Sequence, residues 1–244
     1  MKIGAKSNGL LTAIDVHLAF EAGAYAGSPI FLGMLASTTR YNFPHIQING
    51  FDVIVNKPKT RPYRAPGAAQ ALFAVEQVID ELAITLDLDP IAFRMKNLTR
   101  TGDPLVPGFP CPSIDTDAMM ESVRSHSHYT TTLNGIHQGR GFAYAFWFNI
   151  GATSSVRMTV NTDGTVQLAT ASPDMSGTRM TLAMQAAETL GIDISSMTAS
   201  VGDTESIGFS APTVGSRTTY ATGIVVCDVA QEVLKQMAGR AALL

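Results

Sequence analysis

Charge is scarce in this chain. Asp, Glu, Lys and Arg together make up 15% of its 244 residues, against about 25% in a typical globular domain. Hydrophobic residues make up 45%, so the chain can bury a sizeable core, as one large domain or two small ones, and disorder is excluded. A surface this poor in charge is expected to meet other protein. The net charge of −3 gives no electrostatic reason to expect nucleic acid or an anionic membrane as a partner. No apolar run reaches the ~18 residues a membrane span needs. Lys2 and Lys6 precede an apolar stretch that Asp15 and His17 interrupt, which does not read as a signal peptide.

Cysteine is scarcer still. Cys111 and Cys227 are the only two, too far apart for metal-ligand spacing, so an iron–sulfur cluster or structural zinc held by this chain is not expected. They read as two buried or half-buried thiols. None of the five histidines forms a helical metal-binding pair, and the polar neighbours of His126 and His128 indicate a solvated loop.

The periodicities that are present define the elements. Leu10, Thr12, Ile14, Val16, Leu18 and Phe20 alternate with Asp15 and His17, which predicts a half-buried strand. A second strand is expected over Ile46–Val55, interrupted at Asn49-Gly50. Leu72, Val75, Ile79, Leu82 and Leu86 form the stripe of a long helix from about Ala68, with Pro66 at its opening. Asp89-Pro90 caps a short helix carrying Phe93. Residues 99–114, rich in Gly and Pro, read as an irregular crossing, followed by a helix over roughly 115–125 and a polar loop ending near Gly135. Beyond it, Val156, Met158 and Val160 turn through Thr162-Asp163-Gly164 into Val166, Leu168 and Thr170, a hairpin. A helix with Met180, Ala183, Ala187 and Leu190 on one face stops at Gly191, and a strand is expected over Met197–Val201. The last helix presents Cys227, Ala230, Leu234, Met237 and Ala241, and reaches Leu244 without a cap, as if cut.

Three segments combine arginine, small or hydroxyl residues and a following helix: Arg61–Gly67, Pro173–Arg179 and Pro212–Thr219. Backbone N–H groups and the positive helix end make such places anion sites. Any one of them is also explained by ordinary helix capping. Three together, each with arginine, point to a large polyanionic ligand. The aromatic run Phe142, Tyr144, Phe146, Trp147 and Phe148 has two readings, core packing or an aromatic-lined substrate pocket; on a strand only Trp147 would face the other way. Glu76 and Asp80 sit on a helix flank, and no acid has a context that demands a general-base role.

At these loops the sequence resembles the molybdenum-binding large subunit of the xanthine dehydrogenase/aldehyde oxidase family. The resemblance rests on YRAPGAAQALFAVEQVIDELAITLDLDPIAFRMKN from Tyr63 to Asn97. It continues in order through Asp163-Gly164, Asp174-Met175, Ala187-Glu188, Leu190-Gly191, Gly202-Asp203-Thr204 and Gly215-Ser216-Arg217, and covers nearly the whole chain. It looks closest to the bacterial branch acting on aldehydes and similar small compounds.

The resemblance implies an α+β fold of mixed sheets with packed helices, in two molybdopterin-binding subdomains, 1–134 and 135–244. It implies the middle part of a longer subunit, with the catalytic base outside these residues and no metal-ligating side chain here. The cofactor implied is molybdopterin with molybdenum, in its cytosine dinucleotide form, with [2Fe-2S] and FAD in partner subunits. Family chemistry hydroxylates an aldehyde or heterocycle with water-derived oxygen. Arg64, Gly215, Ser216 and Arg217 fall beside the cofactor. Ser176, Gly177 and Thr178 fall in a pterin loop where Gly-Gln-Gly is common. Pro66 stands where purine-oxidising members have a stacking phenylalanine, and Leu32 near where they carry an arginine, which points away from a purine. Phe146 falls on a pocket-lining position, beside Trp147. The rival class is a non-catalytic module binding a phosphate ligand or serving as scaffold.

Overall fold

The computed structural model describes residues 1–106, 109–149 and 151–243. They form two compact units, Met1–Trp147 and Phe148–Leu244. The boundary expected at Gly135 lies inside the first, whose second apolar cluster includes Tyr144.

In the first unit, β1 (Lys2–Ala5) pairs antiparallel with β2 (Leu11–Gly23), α1 (Ile30–Ala36) crosses over, and β3 (His45–Ile54) lies parallel to β2. The predicted alternation of β2 holds, with Ile14 and Val16 buried, but it starts on Leu11 and not Leu10. Gly4 faces Ala13 while Ala5 faces Leu11, so a bulge at this point moves the inward position by one residue. Asn49-Gly50 does not interrupt β3, which runs through it in register with β2. Gly50 is there for space: a Cβ would overlap the Met34 sulfur of α1. Helix α1 has no counterpart among the expected elements.

Helix α2 (Ala68–Thr85) buries Leu72, Val75 and Ile79 as its stripe predicts, with Leu82 and Leu86 only partly covered. Val75 and Ile79 join Ile14, Val16, Tyr41 and Phe43 in the main core, with Leu82 and Leu86 packed against it. Asp89 caps α3 (Pro90–Asn97) through Ala92 N–H at 2.8 Å. The crossing expected to be irregular contains a small hairpin, β4 (Pro104–Val106) with β5 (Phe109–Pro110), before α4 (Thr116–Ser125) and the single turn α5 (Ser127–Thr130). Its residues Pro107 and Gly108 lie outside the described ones. Ile91, Leu98 and Met120 join Tyr144 in the second cluster.

The second unit repeats the plan of the first. The hairpin β6 (Val156–Val160) and β7 (Val166–Thr170) is followed by a crossover helix, α6 (Thr178–Leu190), and by β8 (Met197–Val201) parallel to β7. Gly191 ends α6 in the left-handed region, φ 69°. The buried face of α6 is Leu182, Ala183, Ala186 and Ala187, whereas Met180 is 59% exposed. A π-helical turn, Thr218–Thr222, leads into α7 (Gly223–Ala241). Val226 and Ala230 of α7 are buried, but Leu234 and Met237 further along the expected stripe are exposed. The two cysteines are free thiols, Cys111 buried and Cys227 half-buried. Among the described residues, no helix is long and apolar enough to cross a membrane.

Candidate functional site

The first unit holds an ionic network under an apolar cleft. Glu76, read from sequence as a flank residue, is 5% exposed and sits at the centre. Its Oε2 accepts from Arg94 Nε at 3.0 Å, Arg94 Nη2 at 2.9 Å and the Tyr144 amide at 2.8 Å, and its Oε1 accepts from the Tyr41 hydroxyl at 2.6 Å. Arg94, with no exposed surface, also meets Asp80 Oδ1 at 2.8 Å and donates to the carbonyls of Pro90 and Phe142, each at 3.1 Å. Burial and the adjoining Glu76 hold the Tyr41 phenol well above its usual range. Burial works against the Arg94 charge, and Tyr41, Glu76 and Asp80 more than offset it. A buried carboxylate tolerates this position only because each oxygen is hydrogen-bonded.

The described residues of the aromatic run belong to none of the three sheets, yet their exposure alternates: Phe142, Tyr144 and Phe146 are more covered than Ala143 and Ala145. Besides the apolar packing of Tyr144 and Phe142, guanidinium groups lie against these rings. The Arg94 guanidinium lies 5.4 Å from the Phe142 ring centre, and that of Arg40 lies 5.0 Å from Tyr144 and 4.1 Å from Phe146. Arg40 is 4% exposed and donates to the Tyr144 hydroxyl at 3.1 Å. Burial lowers its pKa, and burial raises that of the neighbouring Cys111 thiol. Phe146 and Trp147 line a cleft of about 740 Å³, together with Ala65, Leu72, Phe73 and Phe142. Within the run, Tyr144 packs in the core, while Phe146 and Trp147 form the wall of a cleft. Pro66 does not line the cleft, although its neighbour Ala65 does, and Arg64 is exposed outside it.

The three loops share one backbone device. Each enters its helix through positive φ: Ala65 (47°) and Gly67 (80°), Ser176 (55°) and Gly177 (78°), Gly215 (60°) and Ser216 (56°). No side chain of the preceding residue caps α2, α6 or the π turn, whereas Asp89 and Asp115 cap α3 and α4. At α6, Asp174 Oδ1 accepts from Arg179 N–H at 3.1 Å, and Thr178 Oγ1 accepts from Met175 N–H at 3.2 Å. Ser176 and Gly177 are exposed, and a Cβ on Gly177 would stand in open space.

Arg217 differs from the other loop residues. It is fully buried and donates to the carbonyls of Ala152, Thr153 and Ala211 at 2.7, 2.8 and 3.1 Å, and to Ser154 Oγ at 2.6 Å. Its Nε has no partner among the described residues. Ser154 Oγ lies 2.9 Å from Thr222 Oγ1, which lies 3.3 Å from Ser172 Oγ. This hydroxyl chain joins the base of the 173–178 loop to the base of the 212–217 loop. No sequence pattern announced Ser154, Ser172 or Thr222. Among the described residues, no three His, Cys, Asp or Glu side chains are grouped to hold a metal.

Comparison with known proteins adds to this geometry. Residues 1–98 and 119–244 each match a family described as molybdopterin cofactor-binding domain. The chain is 27% identical over 215 residues to the Escherichia coli aldehyde oxidoreductase molybdenum-binding subunit PaoC, covering 83% of this chain and 29% of that protein. It is 23% identical over 261 residues to the putative xanthine dehydrogenase molybdenum-binding subunit XdhA of Escherichia coli, covering 100% and 35%. The aldehyde oxidoreductase of Desulfovibrio gigas superposes with a TM-score of 0.75 at 24% identity, over 96% of this chain and 28% of that one. The chain thus spans about a third of the length of these relatives. With both parts matched in order and the same fold recovered, the chain belongs to the molybdopterin cofactor-binding domains of the xanthine dehydrogenase/aldehyde oxidase family.

Proposed function

We propose that this chain is part of a molybdenum hydroxylase that oxidises a small aldehyde or related compound, with residues 1–134 and 135–244 as its two cofactor-binding parts. The observation that carries the reading is the set of three helix entrances opened by left-handed residues, two of them carrying an exposed serine, Ser176 or Ser216, beside a glycine. Backbone N–H groups and hydroxyls are the donors a pterin phosphate needs. The open space beside Gly177 fits such an occupant.

In this reading Ser176, Gly177, Thr178, Gly215 and Ser216 contact the cofactor, in its cytosine dinucleotide form. Arg64 supplies positive charge from its exposed loop, and Arg217 shapes the Gly215-Ser216 backbone from behind. When bound, the group supplies molybdenum for oxygen transfer to carbon. This chain's residues bind and orient it, and Phe146 and Trp147 form an apolar substrate wall that excludes water, with Pro66 outside that wall at the loop above α2. The absence of an aromatic at Pro66 favours an aldehyde over a purine. Electrons leave through a [2Fe-2S] subunit and an FAD subunit. No acid in these residues is placed as the base, so the 244-residue chain alone does not turn over.

Two measurements test this. The complete complex should contain stoichiometric molybdenum, and Gly215→Val should lower it, since the added branch blocks close approach of backbone to ligand. Unchanged metal content and turnover in that variant would remove the loop from the site and favour the scaffold reading. Residues 1–244 expressed in a cofactor-producing host should show no steady aldehyde oxidation.

A further inference from the structure

The cleft wall has a charge behind it. Phe146 lines the cleft; Arg40 does not, being 4% exposed with its guanidinium 4.1 Å from the Phe146 ring centre. Among the described residues no carboxylate forms an ion pair with Arg40; the polar groups it meets are the Tyr144 hydroxyl and Thr39 Oγ1. Glu76 and Asp80, which also line the cleft, are both engaged by Arg94. The positive charge of Arg40 is therefore uncompensated at short range, and it acts through a thin, apolar ring where screening by water is weak. A guanidinium keeps its charge when buried.

We propose that Arg40 is a specificity-determining residue of this cleft, biasing it against cationic rings and toward neutral, electron-rich ones. A cation stacked on one face of Phe146 draws the ring's electron density toward itself, so the other face becomes a poorer seat for a second cation. It remains a good seat for a neutral aromatic ring, which packs by dispersion and area burial. The inference rests on the reading of the cleft as the substrate wall, and it assigns that wall a charge preference which the lining residues alone, two of them acidic, would reverse.

Trp147 is the only tryptophan of the chain and lines the same cleft, so its fluorescence reports occupancy directly. The probes are an isosteric pair, 4-tert-butylbenzaldehyde and 4-(trimethylammonio)benzaldehyde, titrated into the full 244-residue chain. The native protein is expected to bind the neutral probe more tightly. In Arg40→Met the preference for the neutral probe should shrink about tenfold, the size of one partly screened charge. Arg40→Lys, which keeps the charge, should retain most of it. If Arg40→Met does not fold, Arg40→Gln keeps a donor for Tyr144 and serves the same comparison. A neutral-to-cationic ratio unchanged within twofold on losing the charge overturns the role of Arg40 while leaving the cleft as a ligand site. Absence of any Trp147 response to either probe in the native chain overturns the ligand cleft and the role of Arg40 together.

Discussion

The Tyr144 backbone amide donates to Glu76 Oε2 at 2.8 Å across 68 residues of sequence. This bond brings the aromatic segment onto α2, and with it the wall of the cleft. Glu76 also satisfies Arg94 and Tyr41, so three separate segments meet at one carboxylate.

Glu76→Ala should therefore be costly. It would leave Arg94 buried with only Asp80 as an ionic partner, and orphan two further donors. Removing one partner of a buried pair costs about 3–5 kcal/mol. Chemical denaturation checks this, and a loss below about 1 kcal/mol would mean the network is worth no more than a surface pair. Glu76→Gln, which keeps an acceptor oxygen, should lose less.

The apolar stripe of α2 should respond unevenly. Ile79 is fully buried, while Leu82 is only partly covered. Ile79→Ala should cost about 2–5 kcal/mol, through lost transfer energy and the cavity left behind. Leu82→Ala should cost clearly less because part of its surface already meets water. Equal losses at the two positions would contradict the burial described above.

What could be read in the sequence were features set by neighbours along the chain. The β6–β7 hairpin, the Asp89 cap and the Leu72–Val75–Ile79 stripe follow from local pattern alone, and each is found. Glu76 was missed because helical spacing pairs it with Asp80 and is blind to Arg94 on the next helix. Met180 was misplaced because an alanine-rich helix offers more than one apolar stripe, and only packing on Leu168 and Val226 decides between them. The π turn and the Ser154–Thr222–Ser172 chain follow from distant backbone positions and carry no local signal.

Alkaline pH should expose another pair. Tyr129 donates to Asp89 Oδ2 at 2.6 Å, and partial burial together with that carboxylate pushes its phenol up to about 12. A phenol whose folded pKa exceeds its unfolded value of about 10 keeps its proton longer in the folded state. Its contribution is thus complete below pH 10 and is lost as pH rises from 10 toward 12. Stability against denaturant should fall across that window, and Tyr129→Phe should flatten the fall. An identical slope in the variant would assign the alkaline loss to Tyr41 or to another group.

Arg217 separates two meanings of an arginine in a glycine–serine loop. As a direct ligand contact it would matter only when an anion is bound. The geometry makes it a clamp, donating to the carbonyls of Ala152, Thr153 and Ala211. Charged donors contribute about 1.5–3 kcal/mol each when paired in this way, and the buried carbonyls would be left without partners. Arg217→Met should therefore destabilise the ligand-free chain by at least that amount. It should also speed amide hydrogen exchange over residues 211–217, which include the left-handed Gly215 and Ser216. Arg217→Lys should restore little, since a single ammonium cannot reproduce the planar fork that spans separate carbonyls. Normal stability and exchange in the ligand-free Arg217→Met chain would return Arg217 to the role of an anion contact.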